Sequence, residues 1–286
     1  MTETITDRPR LGEGFARRLE PGHYRRVQLR LDGAIATVCL SNPTRRNAVD
    51  GHMHDEIADV FAAIHRESAV RAVILTGDPA GGAFCAGGDL DWLRDQAPTG
   101  EGYEVILRGG IDLVRAMLNV RQPVVAQVNG TAIGLGATLA LLADVVYVGE
   151  QVTFADPHVG IGVVAGDGGA ALWPLLVGPH RAKEFLMTGD RLTGARAAEM
   201  GLVNHALPAD DVEEAARAMA LRLAEGPRLA VEMTKASVNL LLRQSIEQVL
   251  TASIAMEGLS FHSSDHREAL RAFGVKQAPR WGATEN

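Results

Sequence analysis

Cysteine is scarce in this 286-residue chain: Cys39 and Cys85 are the only two, each inside an apolar or glycine-rich stretch. That excludes a disulfide framework and a Cys-based metal cluster and leaves two reduced, structural thiols. No apolar run reaches the length of a membrane span, because charges or glycines interrupt every candidate. The segment Met1 to Arg10 lacks the apolar centre of a signal peptide, so a cytoplasmic protein is expected. Positive charge is in deficit, with 28 Lys and Arg against 35 Asp and Glu and a formal net charge of −7. Nucleic acid is therefore not an expected partner, while a local basic pocket for an anionic group stays open, with Arg45 and Arg46 as candidates. Metal-ligand spacing is missing too. His52 and His54 lie two apart on a predicted helix and point to different faces, and His23, His65, His180, His205, His262 and His266 have no ligand spacing with Cys, Asp or Glu. No metal and no tandem repeat are expected.

What is present is apolar material for a core, 47% of residues, enough for one large domain or one domain with an appendage. Residues 1–24 are polar and mixed and read as an N-terminal arm. Val27 to Leu31 alternates, Asp32-Gly33 turns, and Ala34 to Leu40 reads as the returning strand of a hairpin. Asp50 caps a helix through Ile64, Arg71 to Thr76 reads as a strand, and a helix over Tyr103 to Leu118 precedes a strand at Val124. This is an α/β rhythm. Beyond Gly169 the texture is helical, with predicted helices over 170–176, 181–187, 194–200, 210–224, 227–242, 245–261 and 266–273, and a short strand at Leu202 to His205. The last four have apolar stripes but no strands to cover, which predicts a helical region over 209–286 packing on a core over 25–208 and on neighbouring subunits. Gly226-Pro227 is the soft point within it.

Two glycine-rich turns, each entered from a β-like run, carry the chemistry. The first runs from Val73 to Gly77 and on to Phe84-Cys85-Ala86-Gly87-Gly88-Asp89-Leu90; the second from Pro123 to Gly130 and on to Thr131-Ala132-Ile133-Gly134-Leu135-Gly136. Glycine permits positive φ and close backbone approach, so two such turns meeting in space aim two peptide N–H groups at one oxygen. That is an oxyanion hole. The apolar, proline-free stretch Leu139 to Val146 predicts a helix after the second turn, which places the Leu135 N–H at a helix start.

Together with Asn42-Pro43-Thr44-Arg45-Arg46-Asn47-Ala48, Phe154-Ala155-Asp156-Pro157, Leu186-Met187-Thr188-Gly189, Ala197 to Asn204 and Arg267 to Phe273, these turns resemble the crotonase (enoyl-CoA hydratase/isomerase) superfamily over residues 25 to 282. The resemblance implies an α/β fold made of a spiral of ββα units with a C-terminal helical trimerisation region, assembling as a homotrimer or a dimer of trimers. It implies an acyl-CoA thioester as substrate, as in fatty acid metabolism, with coenzyme A part of that substrate and no separate cofactor. The two oxyanion-hole amides map onto Gly88 and Leu135. The stretch Arg45, Arg46, Asn47, Ala48 and the turn Ala86, Gly87, Asp89 resemble walls that hold the coenzyme. Arg45 or Arg46, and Lys276 of a neighbouring subunit, are phosphate candidates against a reading as solvated basic residues. Asp89 also reads as a brace of its own turn, because a carboxylate is favoured at a helix start.

The chain departs from the hydratases that activate water with two glutamates: those positions are Thr138 and His158. Thr138 is no general base near neutral pH, and its alternative reading is a helix residue bonding to backbone. His158 stands in a Pro-His frame nine residues before Asp167 in a Gly-Asp-Gly frame, followed by Trp173-Pro174. A histidine moves protons near neutrality, and a carboxylate on its other nitrogen fixes the tautomer. The glycine-rich loop lets Asp167 fold back onto His158. This pair resembles the β-diketone hydrolase branch of the superfamily (6-oxocamphor hydrolase type), although that branch has a further histidine where this chain has Leu135. Three functions follow. The first is a lyase of enoyl-CoA hydratase type, with His158 and Asp167 catalytic beside Gly88, Leu135 and the neighbouring Gly134. The second is a β-diketone C–C hydrolase using the same dyad, and the third a non-catalytic acyl-CoA binder.

Overall fold

The computed structural model describes residues 17–20, 22–96 and 100–282. A hairpin leads the core: β1 (Val27–Asp32) and β2 (Ile35–Leu40) pair antiparallel about Gly33, which takes a φ of 58°. The Asp50 carboxylate accepts from the Met53 N–H and so starts α1 (Gly51–Arg66), after which β3 (Ala72–Gly77) runs parallel to β2. Then come α2 (Leu90–Gln96), α3 (Gly100–Asn119), β4 (Val124–Val128), β5 (Ala132–Ile133), α4 (Leu135–Leu141), β6 (Val145–Gly149) and β7 (Thr153–Ala155). The chain continues through α5 (Gly169–Val177), α6 (Pro179–Thr188), β8 (Leu192–Thr193), α7 (Gly194–Glu199), β9 (His205–Leu207), α8 (Val212–Glu225), α9 (Arg228–Phe261) and α10 (Ser264–Gly274). The expected arm over residues 1–24 lies mostly outside the described residues. Its described part turns at Arg17–Leu19, buries Leu19 and ties Tyr24 Oη to Asp59 of α1 at 2.9 Å.

The strands form a six-stranded sheet in the order β1-β2-β3-β4-β6-β9, parallel from β2 onward, and a three-stranded sheet β5-β7-β8. All six positions of β3 are buried because both faces of the large sheet are covered. Successive side chains divide between two cores with a period of two. Val73 and Leu75 join Val38, Leu40, Ala126, Val128 and the apolar face of α1, while Ala72 and Ile74 join Ile35, Val125 and Tyr147. The second face is closed by α8 through Val212, Ala216, Ala220 and Ala224, a stripe at i, i+4 in which alanine allows close approach. The expectation that the last four helices have no strands to cover is thus corrected for α8.

Three further differences have local causes. The predicted helix over Leu139 to Val146 starts earlier, at Leu135, and ends at Leu141, because Val145–Gly149 pairs with β4 as a strand. Predicted helices over 227–242 and 245–261 are one helix of 34 residues, α9, since Arg243-Gln244-Ser245 contains no breaker. The strand expected at Leu202 to His205 begins only at His205, where pairing with Tyr147 of β6 begins. Among the described residues no helix is long and apolar enough to cross a membrane.

Candidate active site

Both glycine turns lie beside the small sheet. Cys85 bridges to Ala132, and the Ile133 N–H donates to Cys85 O at 3.0 Å. On the far side of the first turn, Val49 N–H donates to Gly87 O at 2.8 Å and Asp89 N–H to Val49 O at 2.9 Å. This parallel bridge uses the carbonyl of 87 and the amide of 89, so the Gly88 amide points the other way. Leu135 opens α4, where an N–H has no intrahelical acceptor. Neither amide donates to protein among the described residues, and both border one cavity of about 210 Å³. The turns touch: Gly87 has a φ of 97°, and a Cβ there would lie 2.9 Å from Ile133 O and 4.0 Å from Leu135 N. Only glycine fits.

His158 enters this cavity from a single 3-10 turn, His158–Ile161, after Pro157. Gly134, with a φ of 54°, lets the ring approach, since a Cβ there would sit 3.2 Å from His158 Cε1. The imidazole lies between two carboxylates. Nδ1 is hydrogen-bonded to Asp156 Oδ1, and Nε2 lies 3.5 Å from Asp167 Oδ2. The carboxylate that orients the ring is therefore Asp156, which the sequence reading left among the family marks. Asp167 faces the other nitrogen and the cavity. Burial alone would lower the His158 pKa, but the charges and hydrogen bonds of Asp156 and then Asp167 outweigh it and hold the pKa well above 6.5. These three side chains bring ligand-type atoms within 4.8 Å of one another. Each imidazole nitrogen faces one of the two carboxylates.

The cavity wall is otherwise apolar, made by Ile106, Ile133, Ile161, Val163, Ile254 and Phe261, with Ala86 and Trp92 at the first turn. Two titratable residues without a role in the sequence reading also border it, His54 of α1 and Glu257 of α9. Burial lowers the His54 pKa; burial, reinforced by Asp167, pushes Glu257 up to about 8. Burial likewise raises the thiols of Cys39 to about 11 and Cys85 to about 12, so neither is a nucleophile at neutral pH.

The remaining candidates are spread around the first turn. Asn47 is fully buried and its side chain is occupied by the loops: Nδ2 donates to Asp78 O at 2.9 Å and Ala83 O at 2.8 Å, and Oδ1 accepts from Asn42 N at 3.1 Å. Its side chain thus braces the two loops, and the φ of 57° it adopts is held by that network. Ala48 is buried beside it. Asp89 Oδ1 accepts from Asp91 N at 2.9 Å and Trp92 N at 3.1 Å, the geometry of a helix cap. Arg45 pairs with Asp91 at 2.5 Å and faces Asp89 at 3.8 Å, whereas Arg46 makes no ion pair among the described residues. Thr138 is 1% exposed behind Gly168, and its Oγ1 has no partner among the described residues, so its hydroxyl does not bond to backbone as expected. Lys276 is exposed beyond α10 and does not border this chain's cavity.

Comparison with known proteins identifies the family and the fold. The enoyl-CoA hydratase/isomerase family matches residues 30–284. A Rhodobacter capsulatus protein named "Probable enoyl-CoA hydratase" is 34% identical over 260 residues, 90% of this chain and 98% of its own. The crotonyl-CoA hydratase of Syntrophomonas wolfei is 30% identical, covering 89% of this chain and 96% of its own. The crystal structure of an enoyl-CoA hydratase/isomerase from Mycobacterium paratuberculosis superposes with a TM-score of 0.82 at 37% identity, over 86% of this chain and 97% of that one.

Proposed function

Since the chain belongs to the enoyl-CoA hydratase/isomerase family and acts on acyl-CoA thioesters, we propose that it does so with His158 as its proton-moving group in place of a glutamate pair. The thioester oxygen is held by the Gly88 and Leu135 amides, each worth on the order of 3 kcal/mol where enolate charge develops. The acyl group enters the apolar cavity of about 210 Å³, and His158 borders the same space. The observation that carries the reading is the imidazole fixed at Nδ1 by buried Asp156 while its Nε2 side faces Asp167 and the cavity. A proton taken from water or from the carbon next to the carbonyl comes to rest there, flanked by two negative charges.

Replacing His158 with Ala is expected to lower turnover of crotonyl-CoA by about 10²-fold while acyl-CoA binding persists. Loss of the ultraviolet absorbance of the conjugated enoyl thioester and calorimetric binding measure the two separately, and unchanged turnover refutes the role. A second reading, C–C hydrolysis of a cyclic β-diketone, is favoured by the same substitution of a His/Asp pair for two glutamates. Incubation with a cyclic diketone, followed by its ultraviolet absorbance, separates it from hydration. Binding without turnover of either compound identifies a non-catalytic binder. The assembly we infer is a trimer or a dimer of trimers, supported by the apolar residues that α9 and α10 leave exposed.

A further inference from the structure

Glu257 belongs to none of the motifs that mark this site, yet it is 7% exposed and borders the cavity together with His158 and Asp167. It sits on α9, which packs against the loop before α5 so closely that a Cβ on Gly166 would lie 2.6 Å from Glu257 Oε2. A buried carboxyl ionises only where cations or donors compensate it. The titratable groups facing Glu257 are Asp167, Asp156 and His158 from the loops beside β7, Tyr103 from α3, and His54 across the same cavity. Among those acting on it His158 alone favours the carboxylate, and that imidazole is already held by two aspartates. The ion pairs of α9 among the described residues are made by other positions: Glu232 with Arg121 and Arg228, Lys235 with Asp144, and Glu247 with Arg115.

We propose that Glu257 resides in the cavity as a carboxylic acid and donates the proton that quenches the enolate carbon. The inference rests on the enolate chemistry of the proposed function and assigns its second proton. His158 takes a proton from the attacking water, and the water oxygen bonds to the β-carbon. The Glu257 O–H bond then breaks as a C–H bond forms at the α-carbon. The enolate's C=C electron pair makes that bond, the carbonyl re-forms, and Glu257 is left as a carboxylate. Passage of the proton from His158 to Glu257 restores the site, so the net change is addition of one water. In diketone cleavage the same donor protonates the carbon released as an enolate. The raised pKa of about 8 agrees with an acid that stays protonated at neutral pH.

The test compares wild type with Glu257→Gln on whichever substrate, crotonyl-CoA or a cyclic β-diketone, the wild type turns over. The expected result is a loss of about 10²-fold in kcat with KM nearly unchanged, together with disappearance of the alkaline limb near pH 8 from the kcat profile. Infrared difference spectra of the two proteins are expected to show the C=O stretch of an un-ionised carboxyl at pH 7, giving way to carboxylate bands above pH 8. Undiminished turnover by the variant, or no un-ionised carboxyl at pH 7, overturns the donor role while leaving His158 untouched. Absence of turnover by wild type on both substrates overturns the donor role and the proposed function together.

Discussion

Asp156 sets the proton affinity of His158, because burial pushes the imidazole towards its neutral form and the adjacent buried carboxylate is the largest charge opposing that push. An imidazole that must be neutral to accept a proton becomes available as pH rises, so turnover of the wild type should climb on the acid side of its profile, before Glu257 ionises. Asp156→Asn removes the charge. The rising limb is expected to move to lower pH and the plateau to fall, since the ring is less firmly held; a pH profile of kcat/KM checks both. Stability follows the same linkage. A histidine whose folded pKa exceeds the unfolded value near 6.5 stabilises the protein fully below that pH and loses the contribution as pH rises through the folded pKa. In Asp156→Asn that loss should be flattened. At this scale the sequence singled out His158 and the Gly88 and Leu135 amides, through glycine turns and a titratable residue in a family position, and the structure brings them to one cavity. It concealed Asp156, two residues from His158, behind the expectation of a distant partner. Glu257 was concealed more deeply, since it lies 90 positions beyond Asp167 on a helix whose preceding residues Ala255 and Met256 are exposed, and it packs on Gly166.

Helices α1, α3 and α9 enclose the cavity, and the fit between them depends on small residues inside helices. Gly109 lies within α3 where a Cβ would approach His54 Nδ1 of α1 to 2.3 Å. His54 is buried with its ring 5.6 Å from that of Trp92, so displacing it means repacking against that indole or entering the cavity it borders. By helix propensity alone Gly109→Ala would stabilise α3 by about 1 kcal/mol. The expected outcome is the opposite sign, a lowered Tm in thermal unfolding, because the alanine methyl displaces a buried imidazole. Elements with a strong period were legible in sequence: the hairpin, α1 with its Asp50 cap, β3, and α3. The run from Leu135 to Gly149 was not, because a continuous apolar stretch looks the same whether it is a buried helix or a buried strand. There the chain is both, broken at Ala143-Asp144, where the Asp144 carboxylate accepts from Val124 N at 2.7 Å. Strands as short as β5, β7 and β8 carry no period at all, although β5 borders the site and β7 leads into His158.

One face of α9 lines the cavity through Ile254, Glu257 and Phe261, while other positions along the same helix point outward with large apolar side chains: Leu229 is 69% exposed, Leu240 66%, Leu241 71% and Leu259 75%. Phe273 and Val275, at the end of α10 and just beyond it, add 68% and 54%. A protein that stays monomeric rarely leaves so many large apolar side chains in water. The same helix pairs its polar residues inward, Glu232 with Arg121 at 2.6 Å and Lys235 with Asp144 at 2.6 Å, so its attachment to its own chain does not depend on the exposed leucines. Replacing both Leu240 and Leu241 with Glu should therefore dissociate the assembly without unfolding the subunit. Light scattering after gel filtration is expected to give a trimer or its double for wild type and a monomer for the variant, with unchanged circular dichroism. A wild-type monomer would remove the assembly inference. Dissociation also probes Lys276, exposed beyond α10 and away from its own chain's cavity. If that ammonium meets the coenzyme phosphate across a subunit boundary, the monomer should show a raised KM for acyl-CoA and an unchanged KM for a pantetheine thioester lacking the nucleotide, because only the longer substrate reaches the neighbour.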